Sequence, residues 1–411
     1  MTRSQRDTST TLTLDSLARL QLELIWQSED TQHAERYLAR MANLWRDCFL
    51  PGLKQELLGK APGHTVELDY APGQALVPEA PRQARKWIPY GYFRRDRLGL
   101  NGKHPKAGRF YPKGSLEHLA GIHPQNTFPF RVLQAGEEGM LVDMGHPLAP
   151  YPVRVRATVL EAALREGDVG GSCTDWRARI TDRGPGMQAA LNGRQADFSD
   201  PSDFSRQDES EDAIFYQTPR LVEHIDKQAS GLLLKEYQAK LEPGDCILDL
   251  MSGYESHIPL DMGLDVTGLG MNSLEMENNP VLSRHVVHDL NAHPGLPFPE
   301  ESFHAVLCSL SVEYMTRPAA VLREAARVLR PGGVMGVSFS HRWFPPKTIS
   351  LWPQLHEFER MGFVLDKLRE TGAFHGLETI SIRNWWRPEE DRYYPSLTTS
   401  DPIFLVWARR S

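Results

Sequence analysis

Residues 246–272 read CILDLMSGYESHIPLDMGLDVTGLGMN, and the order of apolar runs and small residues in this stretch decides the fold. Ile247-Leu248-Asp249-Leu250 is a short continuous apolar run interrupted by one acid, the pattern of a strand buried on both faces. Met251-Ser252-Gly253-Tyr254-Glu255 follows at once, and a second run ends in Val266-Thr267-Gly268-Leu269-Gly270-Met271-Asn272. Further strands are expected over 285–288, 305–309 and 334–339, with a helix over 319–329. Another helix, over 220–241, leads through Pro243-Gly244 into the first strand. Strands alternating with helices indicate an α/β, doubly wound, Rossmann-like parallel sheet with right-handed crossovers. Ligands of such sheets lie beyond the carboxyl ends of the strands, where the winding reverses. The loop after the first strand must let backbone approach the ligand, which calls for small residues there.

Further along the chain come His288-Asp289-Leu290-Asn291, then Leu296-Pro297-Phe298-Pro299 with Phe303-His304-Ala305-Val306, then Arg327-Val328-Leu329-Arg330-Pro331-Gly332-Gly333. This ordered set resembles a class I S-adenosyl-L-methionine-dependent methyltransferase of the type 11 kind, over residues 212–411. The string from Asp249 to Pro259, with the lead-in Phe215-Tyr216, Pro219-Arg220 and His224-Ile225-Asp226, is similar to a methyltransferase subgroup of photosynthetic organisms and other bacteria. The resemblance implies S-adenosyl-L-methionine as cofactor. It implies Asp249 near the methionine amino group or the loop backbone, and Gly253 as the close-approach glycine. Asp289 and the Leu290 N–H are implied at the adenine, and Tyr216 and Arg220 closing over the cofactor, Arg220 by pairing with its carboxylate. The chain departs from the family pattern at three places. Met251, Gly253 and Glu255 stand where three glycines are usual. Gly270 takes the place of the acid that receives the ribose hydroxyls, with Asn272 as a neutral substitute. His304 replaces an Asp. Tyr314, His341 and His257 are candidate bases at the pocket mouth, each competing with a structural role, so the catalytic residue stays unassigned.

The rest of the chain has a different texture. Leu17, Leu20, Leu24 and Ile25, and then Tyr37, Leu38, Met41, Leu44 and Trp45, recur at helical spacing, so residues 1–60 are expected to hold two docking helices. Short β-like pieces at 66–70, 131–133, 140–143 and 153–160 are divided by Gly and Pro. Leu141-Val142-Asp143-Met144-Gly145-His146-Pro147-Leu148-Ala149, entering 153–160, resembles the end of a SlyD-type FKBP prolyl isomerase. That resemblance implies an α+β FKBP-like domain over 61–165 with residues 88–130 in an inserted segment, and isomerase (rotamase) or peptide-holding activity. Tyr70 would stand in its pocket, Val155 at the pocket floor where an aromatic is usual, and His146 and Pro147 would shape the turn. Residues 166–211, with Gly167, Gly170 and Gly171 and an acidic Ser/Asp tract over 197–212, read as a linker.

Composition narrows the function classes. The net charge of −7 argues against a general DNA or RNA binder. The local run Arg82, Arg85, Lys86, Arg94, Arg95, Arg97, Lys103, Lys106, Arg109 and Lys113, interleaved with aromatics, admits an anion or RNA clamp or a solvated loop face. Cys48, Cys173, Cys246 and Cys308 have no CxxC spacing, so no metal site or disulfide framework is expected. No apolar stretch approaches the length of a membrane span, and residues 1–13 lack the apolar core of a signal peptide, which together imply a cytoplasmic setting. The leading expectation is a methyltransferase acting on a small-molecule or peptide substrate, fused to an FKBP-like domain. Its rivals are a folding helper whose C-terminal domain has lost the cofactor, and a scaffold without enzymatic activity.

Overall fold

The computed structural model describes residues 11–75, 84–96, 104–165, 167, 171–181, 184–190 and 196–411. Arg82, Arg97 and Lys103 of the basic run, and Gly170, lie outside them. The chain divides into two compact units, residues 1–189 with 381–385, and residues 190–380 with 386–411.

The first unit opens on strands rather than helices. β1 (Ser16–Gln27) and β2 (Thr31–Asn43) form an antiparallel hairpin, with Leu22 opposite Tyr37 and Leu24 opposite Glu35. The physical reason lies in a second periodicity. Ala18, Leu20, Leu22, Leu24 and Trp26 alternate along the chain, and all five are buried on one side of the sheet. The helical spacing of Leu17, Leu20, Leu24 and Ile25 overlaps this alternation, but Leu17 and Ile25 are only half-buried. β3 (Thr65–Tyr70) and β8 (Val153–Leu164) complete the sheet in the order β2-β1-β8-β3. Its apolar face packs with the short helices α1 (Leu53–Leu57) and α2 (Trp176–Thr181).

The chain between β3 and β8 builds a separate sheet in the order β4-β7-β6-β5, from β4 (Arg85–Pro89), β5 (Phe110–Pro112), β6 (Pro129–Ala135) and β7 (Gly139–Asp143). Its core is Ile88, Phe93, Tyr111, Phe130, Val132, Met140 and Val142. Part of the basic run is tied into this sheet, while Arg85 and Lys86 stay exposed. Arg94 pairs with Asp96 and Glu117, Lys113 donates to Met144 O, and the guanidinium of the buried Arg109 lies over the Tyr111 ring. The resemblance at 141–149 finds a turn: His146 accepts from Leu148 N at Nδ1, and its Nε2 lies 3.1 Å from Thr181 O. Tyr70 is buried with its hydroxyl donating to Pro51 O, and Val155 is fully buried, so neither opens onto a peptide groove. Cys48 and Cys173, which spacing alone did not pair, bring their sulfurs to 3.7 Å as free thiols.

The second unit is the expected α/β sheet. Its order is β11-β10-β9-β12-β13-β15-β14. The strands are β9 (Cys246–Leu250), β10 (Asp265–Gly270), β11 (Arg284–Val287), β12 (Phe303–Ser309), β13 (Leu329–Phe339), β14 (Phe374–Arg383, within this unit to Ile380) and β15 (Ile403–Arg410). β9 to β13 run parallel, and β15 is antiparallel to β13. The winding reverses between β9 and β12. Its helices are α3 (Asp212–Phe215), α4 (Lys227–Gln238), α5 (Ser273–Glu277), α6 (Pro318–Val328) and α7 (Glu357–Thr371). α4 is shorter than its apolar pattern suggests because Asp226 caps it, accepting from Gln228 N and Ala229 N. Its Tyr237 is fully buried, and its hydroxyl lies 2.7 Å from Ser309 Oγ and 2.9 Å from Ser338 Oγ, which fixes α4 over β12 and β13.

The stretch read as a linker is partly integral to this unit. Leu351 N donates to Asp203 O, Ser350 N to Ser205 O and Asp208 N to Pro346 O, so residues 203–208 lie along 346–351. Asp212 then receives Arg206 at 2.7 Å, the fully buried Lys347 at 3.2 Å and Asn291 Nδ2 at 2.8 Å.

The hairpin assignment has a direct test in stability measurements. Leu22→Ala should cost about 2–5 kcal/mol in denaturant unfolding, as a fully buried leucine does. Ile25→Ala should cost under about 1 kcal/mol. A helix would give the reverse ranking.

Candidate functional site

A cavity of about 550 Å³ opens beyond the carboxyl ends of β9, β10 and β12, at the reversal of winding. Its size falls within the ~300–1,000 Å³ of small-molecule sites. Asp249, Gly253, Asn272, Asp289, Leu290, Tyr216 and Arg220 all line it, as do Tyr314, His341 and His257. The residues singled out in the sequence therefore converge, but their side chains do different work.

Asp249, at the end of β9, is held by its own loop through one of its two oxygens. Ser252 Oγ and Ser256 Oγ both donate to Asp249 Oδ2, at 2.5 Å each. Burial pushes its carboxyl up to about 6, against the pull of the two hydroxyls. Asn279 Nδ2 ties the loop down further, reaching Gly253 O at 2.9 Å and Ser256 Oγ at 2.8 Å. Met251 takes a left-handed conformation (φ 61°), the turn that a glycine more commonly provides. Hydroxyls and an amide thus hold this loop.

The same loop explains the missing acid. Ser252 N donates to Leu269 O at 2.8 Å, so the chain leaves β9 pressed against the end of β10. A Cβ on Gly270 would lie 2.0 Å from Ser252 O. No side chain fits there, acidic or otherwise. Asn272 does not substitute for it. Its Oδ1 caps α5 by accepting from Glu275 N, and its Nδ2 donates to Tyr216 O, so both amide atoms are committed to structure.

Arg220 lines the cavity. Its guanidinium lies 4.5 Å from the Phe215 ring centroid, 5.1 Å from Phe344 and 5.7 Å from Tyr216, an aromatic cage that orients a cation without neutralising it. Asp289 Oδ1 accepts from Asn291 N and Ala292 N, which shapes the turn beneath the cavity.

Two acids were not identified in the sequence. Glu255, noted there only as filling a glycine's place, has its Oε1 3.0 Å from Ser230 Oγ, while its Oε2 is buried with no hydrogen-bond partner. Glu275 on α5 accepts from Arg220 N at 2.7 Å. Neither carries a motif, and only the fold brings them to the wall.

The candidate bases separate by environment. Tyr314 is buried and accepts from Phe344 N at 2.8 Å, and burial drives its hydroxyl far above the usual range. His257 is enclosed beside Ser230 Oγ at 2.9 Å, and burial lowers it to about 4. His341 keeps 41% of its side chain exposed, with Nε2 3.3 Å from Asp401 Oδ1. Its pKa is lowered by burial, with Asp401 opposing.

Residues 256–337 match the family model described as a methyltransferase domain. This region carries a methyltransferase domain. The chain is 35% identical over 111 residues to a demethylmenaquinone methyltransferase of Renibacterium salmoninarum, a match covering 25% of this chain and 45% of that protein. It is 26% identical over 163 residues to the ubiquinone/menaquinone biosynthesis C-methyltransferase UbiE of Cupriavidus metallidurans, covering 34% of this chain and 67% of that protein. The chain thus spans less than half the length of the first of these relatives. Among solved structures it is similar to the [4+2]-cyclase SpnF, at 20% identity and a TM-score of 0.33, over 47% of this chain and 88% of that one.

The cofactor that a methyltransferase domain of this kind implies is S-adenosyl-L-methionine, and the wall of the cavity fits its groups. The orphaned Glu255 Oε2 matches an ammonium, the caged Arg220 matches a carboxylate, and Gly253 admits close approach. Among the described residues no cluster of His, Cys, Asp and Glu is placed to hold a metal ion. No helix among them is long and apolar enough to cross a membrane.

Two variants test the loop. Gly270→Asp restores the family's acid in sequence, yet should destabilise the unit by about 3 kcal/mol through the clash with Ser252 O, read by thermal or denaturant unfolding. Asp249→Asn tests the buried carboxyl. Because the folded pKa is raised to about 6, the native chain retains a proton that the unfolded chain loses at lower pH. Stability from this group is therefore present at low pH and lost as pH rises through 6. The stability of Asp249→Asn relative to wild type should rise by about 2 kcal/mol from pH 4 to pH 7.

Proposed function

We propose that the protein is an S-adenosyl-L-methionine-dependent methyltransferase whose acceptor is a small, planar aromatic molecule. The observation that carries this reading is the open cavity at the winding reversal, lined by acids, an arginine and aromatic rings. Tyr314 and Phe344 lie with centroids 6.0 Å apart and planes 27° from parallel, and Trp343 and Tyr393 line the same cavity. Such a wall favours flat, π-rich acceptors. The two relatives named as methyltransferases of demethylmenaquinone and of ubiquinone/menaquinone biosynthesis support an acceptor of that kind.

S-adenosyl-L-methionine supplies an electrophilic methyl group on a sulfonium. In this reading Gly253 gives it backbone room, and Arg220 receives its carboxylate. Glu255 receives the ammonium, and Asp289 and the Leu290 N–H meet the adenine. Asp249 acts through the loop and touches no ligand. Rate enhancement comes mainly from holding the acceptor in line within a dry pocket. His341, whose pKa burial lowers, is the base proposed to take a proton from an acceptor hydroxyl. The first unit is proposed as an accessory module that holds substrate or partner. With Tyr70 closed off, prolyl isomerisation is not part of this proposal.

Calorimetry of the full chain with S-adenosylhomocysteine tests the reading. Binding in the micromolar range is expected. Asp289→Asn, which keeps the turn acceptor but removes the negative charge facing the adenine amino group, should weaken it about tenfold. No heat at millimolar ligand would leave only the architecture of a methyltransferase.

A further inference from the structure

Adenosyl ligands carry a vicinal diol, and a carboxylate that accepts from both hydroxyls is the usual way a protein reads it. Here the position at the end of β10 is closed: a Cβ at Gly270 would meet Ser252 O at 2.0 Å and Met276 Sδ at 3.1 Å. Asn272 has both amide atoms committed to α5 and to Tyr216 O. Asp249 is held by Ser252 and Ser256. Position 270 therefore offers no side chain, Asn272 no free amide atom, and Asp249 has one oxygen committed to its own loop.

Glu275 lies in the first turn of α5, 9% exposed, and lines the cavity. Its two oxygens are differentiated. Oε1 accepts from Arg220 N at 2.7 Å, which fixes the rotamer. Oε2 points to Gly253: a Cβ built on that glycine would stand 3.1 Å from it. Gly253 is thus small for two reasons, to admit a ligand and to make room for this carboxylate. Arg220 lowers the cost of keeping the buried group ionised, against burial, which raises its pKa.

We propose that Glu275 is the ribose-binding carboxylate of this protein, moved from the end of β10 to the first turn of the following helix. Oε2 accepts from the ribose hydroxyls, while Oε1 stays on the Arg220 backbone. The proposal rests on the reading of the cavity as an adenosyl site.

The test uses the full chain, with S-adenosylhomocysteine and its 2′-deoxy analogue as calorimetric probes. Wild type should bind the ribo form at least about tenfold more tightly than the deoxy form, the ratio expected for one charge-assisted hydrogen bond. Glu275→Gln retains an acceptor for Arg220 N and so preserves the fold. It should weaken the ribo form about tenfold or more and bring the ratio of the two ligands close to one. Glu277→Gln, an exposed change on the same helix, should leave both affinities unchanged. A ribo-to-deoxy ratio as large in Glu275→Gln as in wild type overturns the assignment while leaving the cofactor reading intact. If wild type binds neither ligand at millimolar concentration, the cofactor reading falls and the ribose assignment falls with it.

Discussion

The second unit depends on one close approach, the passage of Ser252 across the end of β10. Its N–H bonds to Leu269 O, and its carbonyl occupies the space above Gly270. A loop so tightly drawn cannot spread its own N–H groups around a ligand as a glycine-rich loop does. It must instead be pinned from within, and the buried Asp249 carboxylate, held by Ser252 and Ser256, does this. The hydroxyls offset part of the desolvation of that carboxylate, and Asn279 supplies the remaining restraint from below.

From this constraint the distribution of charge around the cavity follows. With position 270 closed, charged groups reach the cavity wall from other elements as well as from Asp289 beyond the end of β11. Arg220 arrives on the segment before α4, Glu255 on the far side of the pinned loop and Glu275 on α5. Arg220 and Glu275 are joined through the Arg220 N–H, so the segment over the cavity and the helix beneath it are positioned together. Asp212 extends the same logic outward by gathering Arg206, Lys347 and Asn291, which anchors the strap of residues 203–212 beside the site.

The core of the α/β unit was legible in the sequence because β9 and β12 are buried on both faces and read as continuous apolar runs. The ends of those strands pointed to the cavity, and all seven cofactor candidates do line it. Their roles were less legible. Asn272 reads as a ligand by position and serves as a cap, because side chains with both donor and acceptor are captured by the nearest unsatisfied backbone. Glu275 has no motif, since its importance depends on what Gly270 and Gly253 leave open. The hairpin of β1 and β2 was misread because leucines at 17, 20 and 24 satisfy a helical period while Leu20, Leu22 and Leu24 satisfy an alternating one. Only burial separates the two. The acidic tract before Asp212 reads as linker by composition, yet its backbone pairs with 346–351, an interaction that carries no side-chain signature.

A crystal structure of the full chain grown with S-adenosyl-L-homocysteine tests the account most directly. The account predicts the adenosyl group between Gly253 and Asp289, with the chain from Met251 to His257 unmoved and still pinned to Asp249. Ligand density elsewhere, or a cleft filled by the side chain of Met251, Tyr254 or Glu255, would contradict it.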